Sequence, residues 1–229
     1  VFFSFFYLSL ILGFLLSENS TGGALIDYNN QKNITINFAN NFKDTLLNYD
    51  NYSTRHSPIL IILLSFLEKI NLPDSYIRLV HLHICLFLPF IFYKIINEQI
   101  ESSNKRIALI LTGLIFLSPT FRSLSIWPDS RLIGLSFFSL SIFYYLKFCK
   151  GKKFKFAILN VFSCALSAYF SPNFAVFALF FLINYISIFG IKNKKLFIII
   201  IANLLIAIPA IYYVFILEIN FLTKTAAIG

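Results

Sequence analysis

The sequence predicts an all-α, polytopic membrane protein, and three observations carry that prediction. Hydrophobic residues make up 58% of the 229-residue chain and charged residues 13%, against averages of about 45–50% and about 25% in soluble domains. Mean hydropathy is +0.78, so too little polar surface exists to cover the apolar content of an ordinary globule. The apolar residues also arrive in runs, at 1–17, 59–67, 77–96, 107–118, 132–149, 154–170, 174–190 and 195–217. Disorder and a soluble globule are both poor readings of that pattern.

A membrane-crossing helix needs about 17–25 residues. The runs at 77–96, 132–149, 154–170, 174–190 and 195–217 meet that length outright. The run at 1–17 sits at the limit; it lacks a basic leader, and Ser17-Glu18-Asn19 is not a signal-cleavage site, so it reads as a span. The run at 107–118 is short and crosses only with polar flanks or a kink near Pro119. Pro89 and Pro209 fall inside spans, where proline is tolerated as a kink. The run at 59–67 is far too short. The result is one transmembrane domain over residues 1–229 with about seven spans. The chain has no Met and opens inside an apolar run, which reads as a fragment of a longer protein.

Net charge is +9, from 19 Lys+Arg against 10 Asp+Glu. Eleven of the 19 basic residues lie in three short connections: Lys94, Lys105 and Arg106; Lys147, Lys150, Lys152, Lys153 and Lys155; Lys192, Lys194 and Lys195. Two spans separate each cluster from the next, so all three share one side, and the positive-inside rule makes that side cytoplasmic. The N-terminus is then inside, residues 18–76 are external, and 59–67 is an interfacial or re-entrant helix against the outer leaflet. The expected location is the inner membrane of a bacterium, with the N-terminus on the cytoplasmic side. The positive excess is an orientation signal, so the bilayer is a partner and nucleic acid is not.

Two outer segments are too polar to be mere connections. Residues 18–57 carry Asp27, Asp44, Asp50, Arg55 and His56, and a loop of that length is uncommon unless functional. Its pattern suggests short helices, for example over 40–49. Residues 118–131 read SPTFRSLSIWPDSR, with Arg122, Trp127, Asp129 and Arg131. Both emerge on one side and can face each other over a cavity. A carboxylate such as Asp27 can take a proton from an attacking hydroxyl, and arginines can hold a phosphate through paired, charge-assisted bonds. The short helix at 59–67 would lie where a lipid tail enters. The plainer reading has solvated loop acids, Arg122 and Arg131 on lipid headgroups or paired with Asp129, and Trp127 as an interfacial anchor.

Other constellations point away from metal and nucleotide chemistry. His81 and His83 project about 200° apart on a helix and cannot share a metal; His81 reads as lining the cavity or bonding a neighbouring helix. Cys85, Cys149 and Cys164 lie in or beside apolar runs without ligand spacing and read as small hydrophobes. GxxxxGK[ST], GxGxxG and HExxH are all missing from the sequence, which removes support for a nucleotide-driven enzyme or a zinc protease.

The order of features over residues 1 to about 150 resembles the GT-C superfamily of membrane glycosyltransferases, in particular the protein O-mannosyltransferase and aminoarabinose transferase types. The residues that carry it are Gly22-Gly23-Ala24-Leu25-Ile26-Asp27-Tyr28, then Arg55-His56-Ser57-Pro58, then Arg78, then Phe116-Leu117-Ser118-Pro119 with Arg122 and Asp129. The resemblance implies inverting transfer of a sugar from a polyprenyl-phosphate donor to a glycan, lipid or protein acceptor at the outer face. It implies Asp27 as catalytic base, with Arg55, His56, Arg122 and Arg131 stabilising the leaving phosphate, and Asp129, Trp127 and His81 around the cavity. No soluble cofactor is needed because the lipid donor is already activated. Many relatives carry a second acid beside the first; here Tyr28 and Asn29 follow Asp27, which leaves a divalent cation with little support. Many also have Pro-Pro where this chain has Ser57-Pro58. Rival expectations are a polymerase or ligase of lipid-linked polysaccharide, a lipid-linked-sugar transporter or flippase, and a non-catalytic scaffold. Transport predicts charges at mid-membrane depth and related broken helices, whereas the charges here crowd the outer loops.

Overall fold

The computed structural model describes residues 2–52, 54, 57–99 and 105–211, and their regular structure is wholly helical. Helix α1 (Phe2–Leu15) leads into a polar stretch that holds α2 (Ala24–Asn40), α3 (Phe42–Leu47) and α4 (Pro58–Lys69). Then come α5 (Asp74–Cys85), α6 (Phe87–Gln99), α7 (Lys105–Leu117), α8 (Pro119–Ile126), α9 (Ser130–Gly151) and α10 (Phe154–Phe170). A 3-10 turn at Pro172–Ala175 precedes α11 (Val176–Phe189) and α12 (Lys194–Ile211).

Among the described residues, four helical stretches are long and apolar enough to cross a membrane: Asp74–Gln99, Ser130–Gly151, Pro172–Phe189 and Lys194–Ile211. A fifth is added if α7 and α8, bent by 62° at Ser118, count as one span. The bend falls beside Pro119, whose missing N–H and ring clash break the ladder there; Ser118 accepts a hydrogen bond from the Phe121 N–H and so restarts the helix. Phe3–Leu15 and Phe154–Phe170 are shorter apolar helices. Large apolar side chains such as Phe5, Leu12, Leu114, Phe180, Leu204 and Ile208 lie exposed on these helices, as expected of an integral membrane protein rather than of a soluble surface.

The segment at 18–57 is more ordered than its composition suggests. It holds a 17-residue helix, α2, whose residues Ala24, Tyr28, Gln31, Ile34, Thr35 and Phe38 are buried at helical spacing. That face packs on α4, with Ile34, Phe38, Tyr49 and Ile61 in one cluster. Helix α4 covers the expected short helix at 59–67 and opens on Pro58, which suits a first helical position. Helix α3 lies within the expected 40–49 region.

The three basic turns meet at one end of the bundle. Glu98 near the end of α6 pairs with Lys147 and with Lys150 (3.5 Å) near the end of α9. Phe189 at the end of α11 touches Phe148 (5.5 Å) and Phe154 (6.2 Å) across the α9–α10 turn. The first turn of α9, the last of α10 and helix α4 gather at the other end, where Ile133, Phe170, Leu60, Leu64 and Ile77 form one cluster. Between the ends, a buried polar knot ties three helices: Asn160 donates to the Ser141 Oγ (2.8 Å) and carbonyl (2.9 Å), and the Tyr185 hydroxyl donates to Asn160 Oδ1 (3.0 Å). Such bonds hold apolar helices together where burial alone distinguishes little between helix and lipid contacts.

Tyr169 repairs a second proline break. Pro209 lies inside α12, and the Tyr169 hydroxyl accepts from the Ala210 N–H (3.2 Å) while donating to the Ile206 carbonyl (2.5 Å). One side-chain oxygen thus stands in for the i to i−4 bond lost near the proline. Tyr169→Phe leaves both backbone groups without that partner and should cost about 1–3 kcal/mol. A lowered thermal midpoint in detergent, measured against wild type, checks this.

Candidate functional site

At the end opposite the basic turns, the α8–α9 connection and helix α2 bring the predicted residues together. Asp129 caps α9: its Oδ1 accepts the Arg131 backbone N–H at 2.7 Å. Arg131 then folds back onto the same carboxylate, with Nε 3.0 Å from each oxygen and Nη2 2.6 Å from Oδ2. Its Nη2 also donates to Asp27 Oδ2 at 2.9 Å. Asp129 is nearly inaccessible at 2% side-chain exposure, whereas Asp27 and Arg131 remain open at 38% and 50%. The buried acid anchors the arginine, and the arginine positions the accessible acid.

Arg122 is placed differently. It grips Glu18 through Nε (2.8 and 3.0 Å) and Nη2 (2.5 Å), and donates to the Ser9 hydroxyl and carbonyl, both at 3.1 Å. The Glu18 carbonyl accepts from the Trp127 indole N–H at 2.9 Å. The Arg122 hydrogen bond outweighs partial burial and holds the Glu18 carboxyl below its ordinary range. Arg122 therefore joins α1 to α8, with its donors largely occupied. Gly13 makes room for this clamp: a Cβ there would lie 2.3 Å from Glu18 Oε2 and 2.8 Å from Arg122 Nη2.

A third set of charges adjoins Trp127. Asp74 Oδ1 accepts from the Tyr28 hydroxyl and from Lys32 Nζ, each at 2.7 Å. Burial, reinforced by that bond to Asp74, pushes the Tyr28 phenol well above its ordinary value. The Tyr28 ring lies 5.9 Å from Trp127, and the Arg78 guanidinium stacks on the indole at 3.5 Å from its centroid. His81 is fully buried and donates from Nε2 to the Leu124 carbonyl at 3.0 Å, so it braces α5 against α8. His83 points elsewhere and accepts from the Tyr7 hydroxyl at 2.9 Å.

Asp27, Trp127, Asp129 and Arg131 thus fall in one neighbourhood, with Arg122 beside it and His81 beneath α8. Arg55 and His56 lie outside the described residues. Glu18, Lys32 and Asp74 carry structural weight that the sequence does not advertise. The four-residue spacings Tyr28–Lys32 and Asp74–Arg78 are local signals that could have found that cluster; Glu18 and Arg122 are 104 residues apart and offer none. Among the described residues, no group of three or more His, Cys, Asp or Glu converges as a metal site. The three cysteines are free, with Cys85 and Cys164 buried.

An apolar groove of about 450 Å³ opens between α4, α10, α11 and α12. Its walls include Pro58, Ile59, Ala165, Ala168, Ala178 and Ile206, and Ser57 and Tyr169 line it as well. Ser57 donates from its hydroxyl to the Tyr169 carbonyl, tying the start of α4 to the end of α10. The chain matches no protein-family model, and comparison with characterised proteins and with solved structures gives no match.

The clamp yields two expected outcomes. Gly13→Ala should push the Glu18 carboxylate off Arg122, a loss of about 1–3 kcal/mol that alanine's better helix propensity offsets by about 1 kcal/mol, leaving a small net drop in the thermal midpoint in detergent. Because the folded Glu18 carboxyl titrates lower than the unfolded one, its stabilisation is complete above the ordinary carboxylate range and is lost as pH falls through the depressed value. Unfolding followed by circular dichroism from pH 7 downward should show a loss of stability that is shallower in Glu18→Gln.

Proposed function

We propose that this chain is a membrane glycosyltransferase of the GT-C type, moving a sugar from a polyprenyl-phosphate donor to a glycan, lipid or protein acceptor. The proposal places about seven spans in a bacterial inner membrane, with the N-terminus inside and the Asp27 side facing outward. The observation that carries it is the pairing of an accessible carboxylate, Asp27, with an arginine locked to a buried one, Asp129. That arrangement suits a base that must sit still while a hydroxyl approaches. The groove of about 450 Å³ at the same end adds room for an apolar donor tail.

In the proposed step the acceptor oxygen bonds to the anomeric carbon as the bond from that carbon to the phosphate oxygen breaks. The acceptor proton passes to the Asp27 carboxylate, and the electron pair leaves on the lipid phosphate. Arg131 is close enough to Asp27 to face both the approaching acceptor and the phosphate. The resemblance assigns Arg55 and His56 to the donor phosphate as well. Arg122 enters as a positioning residue, because Glu18 and Ser9 already occupy its donors. Transport of a lipid-linked sugar is the second reading, favoured by the 62° break between α7 and α8, a feature that transporters use in related pairs.

The test is transfer from a panel of radiolabelled polyprenyl-phosphate hexoses by the full chain in nanodiscs. Asp27→Asn should retain donor binding and lose about 10²–10⁴-fold in transfer rate, the span expected for a general base. Full transfer by a folded Asp27→Asn protein overturns the base assignment. Movement of intact donor across a bilayer, without transfer to any acceptor, favours the second reading.

A further inference from the structure

At the end of the bundle that holds the candidate site, the cations are not equally satisfied. Arg122 is spent on Glu18, Arg131 on Asp129 and Asp27, and Lys32 on Asp74. Arg78 is only 9% exposed, yet among the described residues no carboxylate lies within ion-pair distance of it. Its Nε donates to the Ile126 carbonyl at 3.2 Å, and its Nη2 is buried without a hydrogen-bond partner among the described residues. The guanidinium carbon lies over the Trp127 ring at 3.5 Å from its centroid and over the Phe14 ring at 5.2 Å. Stacking on aromatic faces attracts a cation but leaves the in-plane N–H groups unsatisfied.

A buried guanidinium with an idle donor is costly unless something supplies the missing acceptor and counter-charge. The nearest acid along its helix, Asp74, already accepts from Tyr28 and Lys32. Counting charges, Lys32, Asp74 and Arg78 together leave one positive charge, while Asp27, Asp129 and Arg131 leave one negative charge. The neighbourhood is neutral as a whole but polarised across the Trp127–Arg131 segment. An anion is what the positive side lacks. Arginine's planar fork suits a phosphate oxygen, which accepts several charge-assisted bonds at once.

We infer that Arg78, backed by Trp127, is an anion-binding residue that takes a phosphate group. The phosphate is either free or the headgroup of a phosphorylated lipid. Binding itself stands apart from any transfer reaction. The further role, in which Arg78 meets the charge that develops on the departing phosphate, rests on the glycosyltransferase reading.

Trp127 is the chain's single tryptophan, so intrinsic fluorescence reports on the ring that Arg78 covers. The test titrates the full chain in nanodiscs with inorganic phosphate, with farnesyl phosphate and with farnesol, following Trp127 emission. A saturable change with farnesyl phosphate, at least tenfold tighter than with inorganic phosphate and not produced by farnesol, supports a lipid headgroup as the source. Equal affinity for the two phosphates supports free phosphate. Arg78→Gln should weaken either response at least tenfold, and Arg78→Lys should bind more weakly than wild type but measurably. Unchanged affinity in Arg78→Gln overturns the proposal; if that variant does not fold, unchanged affinity in Arg78→Lys overturns it. Absence of any response in wild type, confirmed by unshifted phosphorus resonances of both ligands, overturns it too. Should the titration succeed while Asp27→Asn keeps full transfer, the anion site stands and the Asp27 base assignment falls. The reverse pair of results removes the anion site alone.

Discussion

Asp129 is a carboxylate buried where the chain turns from α8 into α9, and a charge in that position must be paired on the spot. Arg131, two residues on, supplies the pairing through its backbone N–H and through the Nε and Nη2 of its side chain. The closed loop of bonds fixes the first turn of α9, and with it the segment Trp127–Arg131. From there the order spreads outward. The outer Nη2 of Arg131 holds Asp27 and thereby α2; Trp127 bonds the Glu18 carbonyl and gives Arg78 a face to stack on. Breaking the Asp129–Arg131 contact would strand a buried acid and free the Asp27 carboxylate, while α2 stays packed on α4.

A second constraint acts on the same end. In apolar surroundings each backbone or side-chain polar group needs an internal partner, and two prolines remove partners in helices that matter here. At Pro119 the deficit is met by the Ser118 cap, which lets α8 set off at a new angle and carry Arg122 back to Glu18. At Pro209 it is met by Tyr169. The basic end is simpler. Lys147 lies over Phe143 (5.5 Å) and Lys152 over Phe148 (5.6 Å), and among the described residues Lys147 and Lys150 share Glu98. At the other end, among the described residues, cations and acids are interleaved and bonded to one another.

What could be read in advance divides along the same line. Apolar runs reveal helices because hydropathy is a local property, so 59–67 and 132–149 correspond closely to α4 and α9. The break at Pro119 was legible because proline removes a donor whatever surrounds it. Asp27, Asp129 and Arg131 stand out as charges between apolar segments, and pairing of Arg131 with Asp129 is itself a reading of the sequence; the bond from Arg131 to Asp27, 104 residues away, is not. Helix α2 was harder: it is rich in Asn, a weak helix former, and its regularity comes from packing on α4, which no local window contains. Glu18 looked like the edge of a span because its meaning depends on Arg122, 104 residues away. Arg78 enters the sequence reading only as part of a motif order, and the feature that distinguishes it, a buried N–H with no acceptor among the described residues, exists only in three dimensions.

The groove follows from the same economy of side chains. Alanine lines it at 165, 168, 175, 178, 207 and 210, and alanine lets helices come near without filling the space between them. Closing it would require α12 to lie flush against α10 and α4, but the turn at Pro209 is held by Tyr169, whose own carbonyl is engaged by Ser57. One residue therefore props both walls: its hydroxyl secures α12 and its backbone secures the start of α4.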